Sequence, residues 1–187
     1  MQLNLARTLQ RSAANGPGER FVIWVQGCPL ACPGCWNPDT WTAQPRMLRD
    51  TQDLIAEILA TEGLTGVTFS GGEPFIQARA LTEVAREVRA AGLSVFIFTG
   101  FTRAELKSQA ARALLAVTDV LVCGRYVASE RVYDLPWRSS ANQRVHFLTS
   151  RHGPADMAQA PEAEIRIGPD GQLTLTGLPG SKLLGSI

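Results

Sequence analysis

The apolar run Phe21-Val22-Ile23-Trp24-Val25 passes within two residues into Cys28-Pro29-Leu30-Ala31-Cys32-Pro33-Gly34-Cys35, which holds three of the chain's four cysteines. That junction constrains the fold more than any other stretch. A near-continuous apolar run predicts a strand buried on both faces of a parallel sheet. Its carboxyl end is then a thiol-bearing loop, at the place where ligands bind in α/β sheets. The spacing C-x3-C-x2-C needs a loop that wraps back on itself, because seven fully extended steps would span roughly 24 Å. Pro29, Pro33 and Gly34 are the residues expected where a chain turns that tightly. Thiolates are soft ligands and suit zinc or an iron–sulfur centre. A structural zinc site wants four ligands in a closed tetrahedron, and this loop supplies three. Three readings stand on the loop alone. One is an iron–sulfur cluster with one metal position left free. Another is a zinc site completed by Cys123, His146 or His152, and the third is a thiol–disulfide pair at Cys32-Pro33-Gly34-Cys35.

With 187 residues, 45% of them hydrophobic, the chain has enough for one domain with a real core. A formal charge of +1 leaves no electrostatic footprint for nucleic acid or an acidic membrane, so neither is expected as a partner. No apolar run approaches the ~20 residues of a membrane span, and the amino terminus has no secretory pattern. A cytoplasmic protein is expected, whose reduced thiols are free to hold a metal.

The chain in order alternates strand and helix patterns. Met1 to Thr8 reads as a short strand, followed by the turn-rich Ala13–Gly18. Leu54, Ile55, Ile58 and Leu59 recur at helical spacing and predict a helix over 48–59, ended by Gly63. Val67-Thr68-Phe69 is the next strand and runs into Ser70-Gly71-Gly72-Glu73-Pro74. Leu81, Val84, Ala85 and Val88 mark a helix closed by Gly92, and Leu93 to Phe98 a strand ending at Thr99-Gly100. Thr102 and Glu105 form a T-x-x-E capping-box pattern, predicting a helix that opens there and runs through Leu115. Asp119 to Val122 is a further strand ending at Cys123-Gly124-Arg125. This alternation predicts a parallel sheet with crossover helices. Residues 126–143 are long, polar and aperiodic, a functional surface loop. Val145 to Leu148 returns as a strand, and Glu164–Ile167 and Leu173–Thr176 flank Pro169-Asp170-Gly171 as a β-hairpin, followed by a loosely held tail over 180–187.

Gly71 and Gly72 let backbone approach a ligand closely, and their backbone groups or Glu73 are candidates to bond the ammonium of an amino-acid moiety. A G-G-E-P string alone reads equally as a turn before a helix. With the cysteine loop it resembles the signature of the radical S-adenosylmethionine superfamily. Asn15–Arg20, Trp24–Pro29, Cys35–Trp41, Thr99-Gly100-Phe101 and Trp137–Arg144 narrow the resemblance to the activating proteins of anaerobic ribonucleotide reductase and related glycyl-radical enzyme activases. It covers most of residues 1–149. The chain departs from that group's pattern at Cys123, Ser139 and Trp36, where the group has aspartate, glycine and histidine.

The resemblance implies an α/β fold, a partial, open parallel β/α barrel of the radical S-adenosylmethionine type with a small C-terminal β-hairpin extension. Residues 1–150 would be the core, and residues 151–187 the hairpin and tail of the same domain. It implies an enzyme, an oxidoreductase, that reductively cleaves S-adenosylmethionine to a 5′-deoxyadenosyl radical and takes a hydrogen atom from a glycine of a glycyl-radical partner enzyme. A flavodoxin- or ferredoxin-like protein would supply the electron. Cys28, Cys32 and Cys35 would hold a 4Fe–4S cluster, with S-adenosylmethionine on the open iron. Gly34, Trp36, Gly71, Gly72, Glu73, Thr99, Gly100 and Arg125 would bind the cofactor, with Trp36 against the adenine or in the core, and Arg125 at the carboxylate. No side chain is required as general acid or base. Cys123 is expected as a buried thiol and His146 as a structural histidine. The departures keep open a radical enzyme acting on a small molecule or peptide, and a non-catalytic iron–sulfur, zinc or redox protein stands further off.

Overall fold

The structure is a computed structural model describing residues 1–159, 161, 163–168, 170–171 and 173–177. One sheet contains β1 (Gln2–Ser12), β2 (Arg20–Val25), β3 (Met47–Asp50), β4 (Gly66–Gly71), β5 (Ser94–Thr99), β6 (Val120–Cys123) and β7 (Arg144–Phe147). Their spatial order is β3-β1-β2-β4-β5-β6-β7. The central strands β2, β4, β5 and β6 are parallel, β1 and β7 pair antiparallel with β2 and β6, and β3 pairs antiparallel with β1 at the outer edge. The fold is therefore mixed α/β with a parallel-rich sheet. Every residue of β2 is buried, as its apolar run requires.

Alternation along the strands assigns the two faces. Phe21, Ile23, Phe69, Ile97 and Leu121 pack into the main core with Leu81, Val84 and Val88 of α2 (Ala78–Ala90). Also in that core are Leu54 and Ile58 of α1 (Thr51–Ala60) and Leu114 of α3 (Gln109–Leu115). All three crossover helices thus cover one face. Residues of the opposite parity, Val22, Trp24, Phe96, Val120 and Val122, turn to the other face. There Phe96, Val120 and Val122 meet Trp137 and Met157, and Val22 and Trp24 meet Ala6 and Leu9 of β1, rather than a crossover helix. A short helix α4 (Pro154–Ala158) carries Met157 to that side.

Several boundaries differ from the sequence reading. Residues 47–50 belong to β3, and α1 starts only at Thr51, because Asp50 accepts from the Gln52 amide at 2.8 Å as its N-cap. No helix opens at Thr102. Its amide and hydroxyl both donate to the Glu105 carboxylate (2.7 and 2.8 Å), but the Glu105 amide donates to the Thr102 carbonyl at 3.0 Å and not to its hydroxyl, so only half of a capping box forms, around a turn. Ser108 caps α3 instead, accepting from the Ala111 amide at 3.1 Å. The strand predicted from Met1 to Thr8 extends to Ser12. The hairpin is present as β8 (Ala163–Ile167) and β9 (Leu173–Gly177), paired antiparallel. Pro169 of its turn and the 180–187 tail lie outside the described residues. No helix among the described residues is long and apolar enough to cross a membrane.

Candidate cluster and cofactor site

The cysteine loop leaves β2 and returns on itself. Gly27 N donates to Thr40 O at 2.8 Å and Cys28 N to Trp41 O at 3.0 Å, so residues 28–41 form a closed excursion. Gln26, buried beneath it, donates to the carbonyls of Asp39 and Thr42 at 3.2 and 2.8 Å. Within the loop, Cys35 N bonds Cys32 O at 3.1 Å, and Asn37 N donates to Cys35 Sγ at 3.4 Å. Gly34 stands at φ +75, left-handed backbone that a side chain would strain. All four cysteines are free thiols. Cys28, Cys32 and Cys35 line one cavity of about 470 Å³, within the range of small-ligand pockets.

The glycine–glutamate segment stands beside the loop at the end of β4. Its role is tighter than a ligand cradle. Gly72 N donates to Val25 O and Glu73 N to Gly27 O, both at 2.8 Å, which prolongs the β2–β4 pairing into the cysteine loop. A Cβ on Gly72 would sit 2.2 Å from the Gly27 carbonyl oxygen, so the close approach that demands glycine here is to the loop's own backbone. Glu73 is buried and both its oxygens are engaged. Oε1 accepts from the Phe75 amide at 3.0 Å and the Thr99 hydroxyl at 2.8 Å, and Oε2 accepts from the Gly100 amide at 2.9 Å. Burial pushes its carboxyl up to about 7, against the downward pull of those three bonds and of Arg125. Glu73 thereby ties the carboxyl ends of β4 and β5 together. Gly71, Thr99 and Gly100 line the same cavity. Leu30 of the cysteine loop reaches so close to Gly100 that a Cβ there would meet its Cδ1 at 2.4 Å.

Trp36 lines the cavity at 37% exposure, which excludes the core role considered for it. The Arg131 guanidinium stands over its ring at 4.4 Å and over Tyr133 at 4.8 Å. Arg125 is not part of the lining. It pairs in two bonds of 3.0 and 2.9 Å with Glu105, whose carboxyl is held down to about 2, chiefly by Arg125. Cys123 is buried on the helix-covered face, its thiol pushed up by burial. His152 bonds Ser94 at 2.9 Å, near the opposite end of the strands. His146 pairs with Leu121 across β6 and β7, and neither histidine lines the cavity. None of the three residues considered as a fourth zinc ligand therefore reaches the loop. Among the described residues no three His, Cys, Asp or Glu groups converge on a single ion either. Three free thiols on one closed loop beside a cavity of small-ligand size are a donor set that fits an iron–sulfur cluster with a bound small molecule.

Three contributors escaped the sequence reading. Arg7 would share a face with Leu3 and Leu5 in a regular strand. A register shift between Leu5 and Arg7 re-aims it, so that it stacks on Trp24 at 4.6 Å and bonds Asn37 Oδ1 at 2.6 Å. The second is the 132–139 run, which lines the cavity across from β2, and the third is the end of the hairpin at Leu175, Thr176 and Gly177. The sequence marked 126–143 as a functional loop, placed Trp137–Arg144 in the family resemblance and gave the hairpin, but it assigned neither the loop nor the hairpin to the cavity.

A family model described as a 4Fe-4S single cluster domain matches residues 14–146. The anaerobic ribonucleoside-triphosphate reductase-activating protein of Vibrio cholerae is 35% identical over 143 residues, 72% of this chain and 92% of that protein. The pyruvate formate-lyase-activating enzyme of Listeria monocytogenes is 33% identical over 153 residues, 75% of this chain and 61% of that enzyme. Among solved structures, QueE from Escherichia coli superposes at a TM-score of 0.45 and 23% identity over 55% of this chain and 54% of that one, too loosely to carry an argument. The chain belongs to the 4Fe-4S single cluster domain family and, within it, to the activating proteins of the radical S-adenosylmethionine superfamily. It is accordingly an enzyme whose cofactors are a 4Fe–4S cluster and S-adenosylmethionine.

Proposed function

We propose that this chain activates a glycyl-radical enzyme of the anaerobic ribonucleoside-triphosphate reductase class, by taking a hydrogen atom from the Cα of a glycine in that partner. The observation that carries the reading is the set of three free thiols on one closed loop, opening with the Gly71–Glu73 segment onto a single cavity. The relatives' names support the reaction class, and a cavity that the three thiols share with this segment supports the site.

Cys28, Cys32 and Cys35 would hold the cluster. When bound and reduced by one electron, the cluster with S-adenosylmethionine supplies methionine and the 5′-deoxyadenosyl radical that takes the hydrogen atom. The chain's own work is positioning. Glu73 fixes the ends of β4 and β5, while Gly71, Thr99 and Gly100 offer backbone to the amino-acid part of the cofactor. Trp24 and Phe98 give the cavity apolar wall that excludes water. Trp36 with Arg131 forms an aromatic edge for the nucleoside, and Gly34 lets the cysteine loop turn. Arg125 stays outside the lining, where its two bonds to Glu105 engage its guanidinium and offset its charge, so it is not a direct ligand.

With helices over one face and the cavity on the other, the sheet fits a partial, open β/α barrel whose free side admits a partner's loop. Residues 1–150 would be its core and 151–187 an appendage of the same domain, a division supported by the bonds of Glu164 to Ser12 and Ala13 at 2.8 and 3.3 Å. A flavodoxin- or ferredoxin-like protein is the fitting electron donor and the cytoplasm the fitting compartment. The departure at Cys123 does not weigh against the reading, because that side chain faces the helices. Ser139 does line the cavity, its hydroxyl donating to Gln143 at 3.0 Å, and it is the residue that favours a smaller substrate as second reading.

The test is anaerobic reconstitution followed by incubation with reductant, S-adenosylmethionine and anaerobic ribonucleoside-triphosphate reductase deuterated at glycine Cα. Deuterium in 5′-deoxyadenosine and a glycyl doublet in the paramagnetic resonance spectrum are expected. Label arriving only from a small metabolite overturns the activating role. A colourless, zinc-loaded protein overturns the chemistry.

A further inference from the structure

The β8–β9 ribbon is amphipathic the wrong way round for an ordinary surface hairpin. Its polar side faces the protein. There Glu164 accepts from Ser12 and Ala13, and Asn15 donates to Thr176 at 2.8 Å. Its other side carries two cross-strand aliphatic pairs, Ile165 with Leu175 and Ile167 with Leu173. These are exposed by 52, 39, 74 and 69% respectively. A two-stranded ribbon is marginal alone and gains stability by burying an apolar face against something. Here the polar pins hold that face outward, and a contiguous aliphatic patch rimmed by polar residues marks an interaction surface.

The patch is continuous with the cavity. Leu175 belongs to both, and Thr176 and Gly177, which follow it, also line the cavity. A polypeptide entering the cavity from this side must cross the ribbon. We propose that the outward face of β8–β9 is a docking surface for an aliphatic patch on the glycyl-radical enzyme whose glycine segment enters the cavity. This rests on the activating role proposed above. The four side chains carry no charge, so the complementary surface is apolar rather than acidic or basic. The ribbon holds the partner while the cavity handles its glycine.

The double variant Ile167→Ser, Leu173→Ser tests this, because neither residue lines the cavity and both are mostly exposed. Reconstituted wild type and variant are compared for dithionite-driven 5′-deoxyadenosine formation without partner, for binding to purified anaerobic ribonucleoside-triphosphate reductase, and for glycyl-radical yield. The expected result is unchanged uncoupled cleavage and a Kd raised at least about tenfold, since burying one such side chain is worth that much in an equilibrium constant. Radical yield should fall at low partner concentration and recover at saturation. An unchanged Kd with normal radical yield overturns the docking surface alone. Loss of self-association in the variant, with partner binding intact, assigns the face to a second copy and overturns it too. So does a ribbon in which truncation after Gly177, in the wild type, newly exposes the aliphatic face to hydrogen exchange, since the chain's own end would then be the occupant. If wild type cleaves S-adenosylmethionine but leaves the reductase without a radical, the activating role itself falls, and the docking surface with it.

Discussion

The two ends of the parallel strands treat polar groups in opposite ways. At the amino ends Arg20 is wholly buried, and every guanidinium donor is used. Nε bonds Thr68 Oγ1, Nη1 bonds Pro17 O and Ser94 Oγ, and Nη2 bonds Val67 O and Ser94 O. Burial pushes its guanidinium down to about 9, with Asp119 pulling it back up. Asp119 is itself buried, accepting from Val95 N at 2.8 Å, Thr149 Oγ1 at 2.7 Å and Arg89 at 3.0 Å. Of the side chains around this network only His152 Nδ1 lacks a bond, and it faces Asp156 at 3.7 Å. Around the cavity the accounting is left open. Trp41 Nε1, Trp137 Nε1, Arg138 Nε, Arg131 Nε and Nη2, and Gln26 Oε1 are buried without partners among the described residues. Buried polar groups are normally paired, so the end that is complete is structural and the end that is incomplete is where a ligand belongs.

Substitution at the cavity should therefore abolish chemistry and spare the fold, and substitution at the other end should do the reverse. The largest effect is expected for Cys28→Ala, Cys32→Ala or Cys35→Ala. Each should lose the cluster and all 5′-deoxyadenosine formation, read by iron and sulfide content and by product assay. Circular dichroism and thermal melting of the metal-free chain should match the wild type, because the three thiols sit at intermediate burial outside the core. A variant that keeps full cleavage would break the comparison at its functional end.

Arg20→Ala should act the other way. It removes five buried hydrogen bonds to the carbonyls of Val67, Ser94 and Pro17 and the hydroxyls of Thr68 and Ser94, at a cost of roughly 3–5 kcal/mol, while Asp119 keeps its pairing with Arg89. Arg20→Lys brings fewer donors to the same acceptors and should recover only part of that. Denaturant unfolding measures the loss, and whatever fraction remains folded should still take up iron. A stable Arg20→Ala protein that cannot be reconstituted would mean that the two ends are not independent.

Legibility followed range in the chain. The strands β2, β4, β5 and β6 were readable because their apolar runs are local, and so were the cysteines and Gly71–Glu73, which stand together in the sequence. What failed needed partners far away. Leu48 to Asp50 reads as the start of a helix until β1 is there to pair with it. The register shift that turns Arg7 onto Trp24 leaves no mark in the residue pattern. Glu73 was legible in position but not in role, since its bonds to Thr99 and Gly100 cross 26 and 27 residues. The hairpin was legible as a hairpin, but its facing is set by Glu164 reaching Ser12 across 152 residues.

Glu73 belongs to the open end yet is itself fully bonded, so it should behave as a structural group with a pH signature. Its carboxyl stands at about 7 against 4.5 unperturbed, so between those values the folded chain binds more protons than the unfolded one. The stability contributed by its protonated form is complete below about 4.5 and is lost as pH rises through about 7, at most about 3 kcal/mol. Glu73→Gln removes that slope. It also adds a pH-independent cost of about 1–3 kcal/mol, because the glutamine has one acceptor oxygen and its amide nitrogen only donates, so either Gly100 or the Phe75–Thr99 pair loses its acceptor. Unfolding of the metal-free chain between pH 5 and 8 should show the wild type losing stability relative to the variant. Parallel curves would mean that the Glu73 environment does not raise its pKa.

Cys123 carries the smallest expected effect, and it tests whether the carboxyl end of a strand is enough to make a residue functional. It is the last residue of β6, opposite Thr99 in the ladder, and it carries the same thiol as the cluster cysteines. What separates it is facing. Val122 packs with Trp137 on the cavity side, and Cys123, one step on, packs with the helices. A strand's alternation puts that thiol on the wrong side of the sheet to reach the loop. Cys123→Ser should therefore leave iron content, the cluster's resonance signal and 5′-deoxyadenosine yield unchanged. It should cost about 1–2 kcal/mol of stability, from placing a hydroxyl in an apolar pocket. If the cluster signal disappears while the chain stays folded, the thiol does reach the metal, and the division of function by sheet face is wrong.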